Sequence, residues 1–125
     1  MKALIAGAGI GGLATAIALR EAGLIVEVLE RAQELRETGA GLMIWPNGSR
    51  SLRALGVAVR RLVVERISFR SWRGRELMEI PMDIISERYG FRVAFVSRAD
   101  LQAALMSTLG EGALRLGADV QSFEE

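Results

Sequence analysis

The sequence predicts an α/β fold that begins with a parallel sheet. Residues 2–6 form a short apolar run that stops at a glycine, which is typical of a buried strand followed by a tight turn. Residues 10–22 carry apolar side chains at helical spacing, and the β-branched segment 25–30, IVEVLE, is typical of a second strand. A strand, a helix and a strand within about thirty residues indicate one βαβ unit, in which the two strands are parallel.

The segment between the first strand and the helix, GAGIGG at 7–12, has the spacing G-x-G-x-x-G. Gly7 permits a tight turn, Gly9 lets the backbone approach a pyrophosphate, and Gly12 lets the helix pack close to the strand. The phosphates would then meet unpaired amides at the positive end of the helix dipole, so that no lysine is needed. The alternative is a glycine-rich turn that serves packing alone.

Glu30 ends the second predicted strand. A carboxylate in that position can accept hydrogen bonds from both hydroxyls of an adenosine ribose, and it would repel a 2′-phosphate. The pattern therefore favours a Rossmann-like site for FAD or NAD over one for NADP. The alternative for Glu30 is a solvated acid at the end of a strand.

The composition excludes several classes of function. The chain has 125 residues, 50% hydrophobic and 25% charged, with a formal net charge of +1, as in a globular domain. That balance gives no basic surface for nucleic acid. Because cysteine and histidine are both absent, we expect no metal site, no reactive thiol and no Ser-His-Asp triad. Any chemistry would therefore depend on a cofactor.

The apolar N-terminal stretch is predicted to be neither a signal peptide nor a membrane span. Each glycine in 7–12 would destabilise a helical apolar segment by about 1 kcal/mol, and charged residues follow at 20 and 21. No other segment has the roughly 18 consecutive apolar residues that a span requires. We therefore expect a cytoplasmic protein that does not bind membranes.

The remaining elements are predicted, in chain order, as a helix from Pro46 to Leu55, strands over 63–70, 75–80 and 91–96, a helix over 97–110 and a strand over 118–125. Pro46 suits the first turn of a helix. Gly74 can adopt positive φ in a turn between two strands. Ser97 and Asp100 form a capping box. The predicted hairpin interrupts the βα repeat, so we divide the chain into a βαβ unit with its following helix (1–62), inserted strands (63–96) and a return to the first domain (97–125).

Three separated motifs carry a resemblance to a known family. They are the opening MKALIAGAGIGGLATAIALREAGLIVEVLERA, then GAGLMIWPNGSRSLRALGV, then VSRADLQAAL. In this order they resemble the N-terminal half of the class A FAD-dependent monooxygenases, the flavoprotein aromatic hydroxylases. Within that family the chain is most similar to the branch of salicylate hydroxylase and FAD-dependent urate hydroxylase.

The resemblance implies a set of FAD-binding residues. Gly7, Gly9 and Gly12 would hold the pyrophosphate with Leu13 beside them, Glu30 would hold the ribose, and Arg31 would lie beside the adenosine. The stretch Gly39-Ala40-Gly41-Leu42 would pass near the isoalloxazine, with Gly41 and Leu42 as its contacts, because glycine backbone can approach a flat ring closely. Arg98 would reach the flavin side chain or the phosphates. Gln102, one helical turn later, would assist it or serve the structure alone.

The resemblance also implies a reaction. NAD(P)H would reduce bound FAD, the reduced flavin would take up O₂ as a hydroperoxide, and the distal oxygen would pass to a small aromatic or purine-like substrate. Five aromatic residues would line a pocket for that ring or belong to the core, which is the commoner place for aromatics on strands: Trp45, Phe69, Trp72, Phe91 and Phe95. No motif supports Tyr89 or any carboxylate as an acid or base, so no catalytic residue is assigned.

The chain departs from the family pattern in its length. The family is about three times as long, and this chain stops inside the predicted third parallel strand. We therefore expect a truncated fragment that binds FAD weakly and self-associates through its exposed sheet edge. Two other functions remain open. A dehydrogenase-type domain would bind NAD and take up no flavin, whereas a non-catalytic remnant would bind FAD without oxidising NAD(P)H.

Overall fold

Three small sheets and four helices make up the computed structural model, which describes residues 1–35 and 40–124. In these residues the elements follow one another as β1 (Lys2–Ala6), α1 (Ile10–Glu21), β2 (Ile25–Glu30), β3 (Gly41–Ile44), α2 (Pro46–Ala54), β4 (Leu62–Val63), β5 (Arg66–Arg70), β6 (Glu76–Pro81), α3 (Asp83–Tyr89), β7 (Ala94–Ser97), α4 (Arg98–Leu109) and β8 (Leu114–Leu116).

The first sheet is parallel, with β2 between β1 and β8. Its register places Lys2 opposite Ile25 and Val28 opposite Leu114. The predicted α/β class, with a Rossmann-like βαβ unit at the start of the chain, is confirmed. Because parallel strands end at the same edge, the segment after β1 and the segment after β2 lie side by side.

Helices α1 and α4 pack against each other over the core. Both helices place apolar residues at helical spacing on their inner faces, which gives buried positions at Leu13, Ala16, Ile17, Leu101, Leu105 and Leu109. At the far end, the Arg20 guanidinium donates to the Leu109 carbonyl oxygen. This packing fixes the start of α4 relative to the start of α1.

Antiparallel strands follow the βαβ unit, as the sequence predicts. One sheet has the order β3-β7-β4, and β5 and β6 form a separate hairpin. Gly74 has φ +84 in the hairpin turn, as expected. Pro46 begins α2, and Ser97 caps α4 by accepting from the Asp100 amide. The division into 1–62, 63–96 and 97–125 stays a prediction.

The strand predicted over 118–125 is wrong. Residues 118–124 form no strand, and the third parallel strand is the three-residue β8. Gly117 has φ +68 and ends β8 directly, after which the amides of Gly117 and Ala118 donate to the carbonyls of Ala32 and Glu30. The chain therefore turns across the end of β2. Strand β8 was not predicted because a strand of three residues is too short to show a hydrophobic periodicity.

Other differences concern short elements. Strand β3 and helix α3 were not predicted at all. The strand predicted over 63–70 is two strands, β4 and β5, which belong to different sheets, and the strand predicted over 91–96 begins at Ala94. Strands β3 and β4 depend on pairing with β7, which lies at least thirty residues away along the chain. Local patterns give weak signals for such elements.

The core position favoured for the aromatic residues is wrong for four of them. Trp45, Phe69, Trp72 and Phe95 are 44%, 47%, 88% and 41% exposed, and Phe91 is half-buried. Phe69 lies on the two-stranded hairpin, which is too small to bury both of its faces. Their proposed role in lining a substrate pocket stays a prediction. Within 1–35 and 40–124, no helix has the length and apolar character needed to cross a bilayer.

We predict opposite effects for two neighbouring glycine substitutions in α1. A Cβ built on Gly12 would lie 2.1 Å from the Gly7 carbonyl oxygen, a backbone atom that cannot move aside easily. Gly12→Ala should therefore lower the free energy of unfolding by about 1–3 kcal/mol. A Cβ on Gly11 meets nothing within 4 Å, so Gly11→Ala should leave stability unchanged or raise it by up to about 1 kcal/mol. Urea unfolding of both variants tests this, and equal effects would contradict it.

Candidate functional site

The turn after β1 leaves the start of α1 open. Gly7 has φ +96, a conformation that L side chains rarely adopt, and its amide donates to the Leu29 carbonyl oxygen at 2.7 Å. Gly9 is the N-cap of α1 and supplies no side-chain cap. The first amide to bond within the helix is that of Leu13, which donates to Gly9. The amides before it lack partners within the helix and lie at its positive end, where an anion is stabilised.

The second and third glycines of the motif have different surroundings. Gly12 is required by packing, because its Cα lies against the Gly7 carbonyl. At Gly9, by contrast, a Cβ would meet nothing within 4 Å. The packing of the described residues therefore needs no glycine at position 9. The open space beside Gly9 fits a bound group that approaches the backbone closely.

Glu30 lies at the end of β2 and faces this turn. Its Oε2 accepts from the Ala8 amide at 2.8 Å, and its Oε1 accepts from the Ala32 amide at 3.0 Å. The Ala32 amide and then the Ala8 amide hold the pKa of the Glu30 carboxyl below its ordinary value. The carboxylate is therefore ionised at neutral pH, and each oxygen has a further lone pair for a hydroxyl.

A cavity of 160 Å³ opens beside this carboxylate. Gly7, Glu30 and Arg31 form one side of it, and residues 118–120 form another. Segment 118–120 lies there because the chain turns after β8. The sequence predicted a strand over 118–125 instead, and such a strand does not place these residues at the cavity. Asp119 lines this cavity and was not among the site residues predicted from the sequence.

Leu13 lies one helical turn into α1. Its side chain is fully buried in the core, and its amide already donates to the Gly9 carbonyl oxygen at 2.9 Å. Its position supports the packing of the helix start. A direct contact of Leu13 with a cofactor stays a prediction.

Gln102 and Arg98 are one helical turn apart on α4. The Gln102 Nε2 donates to the Ala8 carbonyl oxygen at 2.8 Å, so this side chain reaches the glycine turn itself. The Arg98 side chain is exposed, and its amide donates to the Ala40 carbonyl oxygen at 3.0 Å. In the sequence, Gln102 stands out only as a polar residue between the core positions Leu101 and Leu105. That position alone does not predict its bond to Ala8.

Gly41 and Leu42 lie in β3, next to the start of α4. Gly41 pairs with Ser97, a Cβ on Gly41 would meet nothing within 4 Å, and Leu42 packs half-buried against the core. Gly41 and Ser97 both line a cavity of 320 Å³. Gly39, the first residue of the predicted isoalloxazine stretch, lies outside the described residues. Helix α4 therefore connects two groups of predicted residues: the glycine turn through the Gln102 side chain and the stretch 39–42 through the Arg98 amide, which donates to Ala40.

A larger cavity lies elsewhere. It measures 580 Å³ and is lined by residues of β4 to α3, including Glu65, Arg66 and Glu79. None of the predicted site residues lines it. In the parts of the chain that the structure describes, no group of three or more Asp, Glu, His or Cys could hold a metal ion.

Comparison with known proteins identifies the family. A family model described as an FAD binding domain matches residues 1–125. The chain belongs to the FAD-binding domain family. This membership confirms the predicted resemblance and FAD as the cofactor of the family.

Relatives of this FAD-binding domain include an FAD-dependent hydroxylase and a monooxygenase. It is 34% identical over 130 residues to the FAD-dependent urate hydroxylase of Klebsiella pneumoniae, covering 100% of this chain and 34% of the relative. It is 36% identical over 131 residues to the 3-amino-4-hydroxybenzoate 2-monooxygenase of Streptomyces cremeus, covering 100% of this chain and 33% of the relative.

A solved structure shares the fold of this FAD-binding domain. The crystal structure of Klebsiella pneumoniae HpxO complexed with FAD and uric acid matches it with a TM-score of 0.84 and 33% identity, covering 94% of this chain and 31% of that chain. The chain thus spans about a third of the length of the curated relatives that it matches.

We predict a pH-dependent contribution of Glu30 to stability. Because its pKa is lowered in the folded state, the contribution is complete above the ordinary value of 4.5 and is lost as the pH falls through the lowered pKa. Glu30→Gln replaces one carboxylate oxygen with an NH₂ group, which cannot accept a hydrogen bond from the Ala8 or Ala32 amide. The variant should therefore be less stable than the wild type above pH 4.5. Urea unfolding of both proteins from pH 7 to pH 3 measures the difference.

The stability difference between the wild type and Glu30→Gln should shrink toward acid pH. The Lys2–Glu27 ion pair also titrates in acid, but both proteins keep it, so its effect cancels. A difference that stays constant from pH 7 to pH 3 would show that the two amides do not hold an ionised Glu30 carboxylate.

Proposed function

We propose that the turn between β1 and α1 binds the diphosphate of FAD and that Glu30 binds the ribose of its adenosine. The observation that carries this proposal is the open space at Gly9, beside uncapped amides and an ionised carboxylate. The amides would donate to phosphate oxygens, with the helix dipole adding to their attraction. The Glu30 oxygens would accept from the ribose hydroxyls and repel a 2′-phosphate.

The remaining predicted residues fit an extended dinucleotide. Arg31 lines the cavity beside Glu30 and would lie along the adenosine. Gly41 has open space in front of its Cα, which suits the approach of a flat ring. Arg98, exposed at the start of α4, would place its guanidinium toward the flavin side chain or the phosphates.

We infer further that the chain is the FAD-binding part of an NAD(P)H-dependent monooxygenase that acts on small aromatic or heteroaromatic substrates. The relatives named as a urate hydroxylase and as a 3-amino-4-hydroxybenzoate 2-monooxygenase support this class. When bound, FAD would supply the redox chemistry, with NAD(P)H as reductant and O₂ as co-substrate. The described residues would bind and orient it. No acid or base is assigned among them.

A binding and turnover experiment tests the function. The purified chain is incubated with FAD, passed through gel filtration and examined by its visible spectrum, and NADH consumption is then measured with a panel of aromatic and purine acids. Retained flavin supports the FAD site, and substrate-dependent NADH consumption supports the monooxygenase. Retained flavin without NADH consumption would indicate a non-catalytic FAD-binding domain. Retention of NADH with loss of flavin would replace the proposal with a dehydrogenase-type domain.

We predict that Gly9→Ala separates stability from FAD affinity. A Cβ at this position meets no atom of the described residues within 4 Å, so the free energy of unfolding should change by less than about 1 kcal/mol. The same methyl group would occupy space that the diphosphate needs. The Kd for FAD, measured by flavin fluorescence, should therefore rise by about tenfold or more, equivalent to about 1.4 kcal/mol.

Ser107→Thr provides the control for Gly9→Ala, since it adds one methyl group on the exposed surface of α4. Its Kd for FAD should equal that of the wild type. An unchanged affinity in Gly9→Ala would mean that the diphosphate does not approach the Gly9 backbone.

A further inference from the structure

Two side chains from distant parts of the chain hold the backbone of Ala8. Its amide donates to Glu30 Oε2 at 2.8 Å, and its carbonyl oxygen accepts from Gln102 Nε2 at 2.8 Å. Glu30 comes from the end of β2, and Gln102 comes from the second turn of α4. Since Ala8 lies between Gly7 and Gly9, the least restrained segment of the site is held from both sides.

Fixing the Ala8 carbonyl also fixes the amide that follows it. In a planar trans peptide, the carbonyl of one residue and the N–H of the next point in opposite directions, and the described residues contain no cis peptide bond. The bond from Gln102 therefore directs the Gly9 N–H away from α4. Without that bond, the peptide plane between Ala8 and Gly9 could rotate, because the backbone torsions of glycine are weakly restricted.

Gln102 itself is held in place before any ligand binds. Leu101 and Leu105, on either side of it along α4, are buried against the core. At the end of the helix, the Leu109 carbonyl accepts from Arg20 of α1. The donor that reaches Ala8 thus belongs to a helix anchored to the same helix whose first amides form the site.

We propose that Gln102 is a positioning residue for FAD binding, which holds the Ala8 peptide so that the Gly9 N–H is directed at a phosphate oxygen. This inference rests on the proposed FAD site and deepens it. Gln102 would not touch the cofactor, and its effect would be confined to the diphosphate. The ribose depends on Glu30, which keeps its bond from Ala32 whatever stands at position 102.

Three probes that share parts of one molecule test the proposal: FAD, ADP and adenosine. Gln102→Leu removes the donor and keeps a side chain of similar size. We expect its Kd for FAD and for ADP to rise about tenfold, while the weak affinity for adenosine, followed by NMR, stays within about twofold. A side chain that only supports the fold would weaken all three probes together or none of them, and either result would overturn the proposal.

Gln102→Glu supplies a second signature. An ionised carboxylate cannot donate to the Ala8 carbonyl, whereas a protonated one can. At pH 7.5 this variant should bind FAD about tenfold more weakly than the wild type, and the gap should narrow toward pH 5. Glu30 stays ionised there because its pKa is below 4.5. The charged residue one turn away on α4 is Arg98. A gap that does not change with pH would overturn the proposal.

Ala103→Glu is the control for the added charge, since it places a carboxylate on the exposed surface of α4. It should bind FAD as the wild type does at both pH values. FAD binding by the wild type distinguishes a failure of the proposed FAD site from a failure of the proposed role of Gln102. If it binds no FAD, the proposed function fails. If it binds FAD and both Gln102 variants bind it equally well, only the role of Gln102 fails.

Discussion

The close approach between α1 and the end of β1 is the constraint on which the site depends. Gly12 packs directly against the Gly7 carbonyl, where a Cβ would lie at 2.1 Å. This contact brings the uncapped start of the helix to the edge where β1 and β2 end. Because Gly7 takes a left-handed conformation in the turn, the helix axis and its dipole point at that edge. In the proposed diphosphate site, the donors are therefore backbone groups alone.

The hydrogen bonds around Ala8 connect this site to the rest of the molecule. The Glu30 carboxylate holds the turn, and Glu30 also lines the cavity in which we propose that the ribose binds. Gln102 holds the same peptide from the other side. The site is thus organised before a ligand arrives, which reduces the ordering cost of binding. A packing role for the glycines and a binding role are compatible here, since Gly12 serves the first and Gly9 is open for the second.

The parts that the sequence predicted are those with strong local signals. The βαβ unit followed from apolar periodicity and from glycines whose spacing has a physical cause. The starts of α2 and α4 followed from Pro46 and from Ser97 with Asp100. Several of the parts that were missed depend on distant partners. Strand β8 is three residues long and exists through its pairing with β2, and the turn that brings Asp119 to the cavity depends on bonds to Ala32 and Glu30. Likewise, no local pattern says that Gln102 meets a carbonyl 94 residues away.

The most direct test of the central claim is a crystal structure of the chain, or of the longest form that can be purified, with FAD bound. The account predicts phosphate oxygens within hydrogen-bond distance, about 2.7–3.2 Å, of the amides from Gly9 to Gly12. It also predicts ribose hydroxyls on the Glu30 carboxylate. A diphosphate held by arginine side chains elsewhere, with nothing against the start of α1, would contradict it.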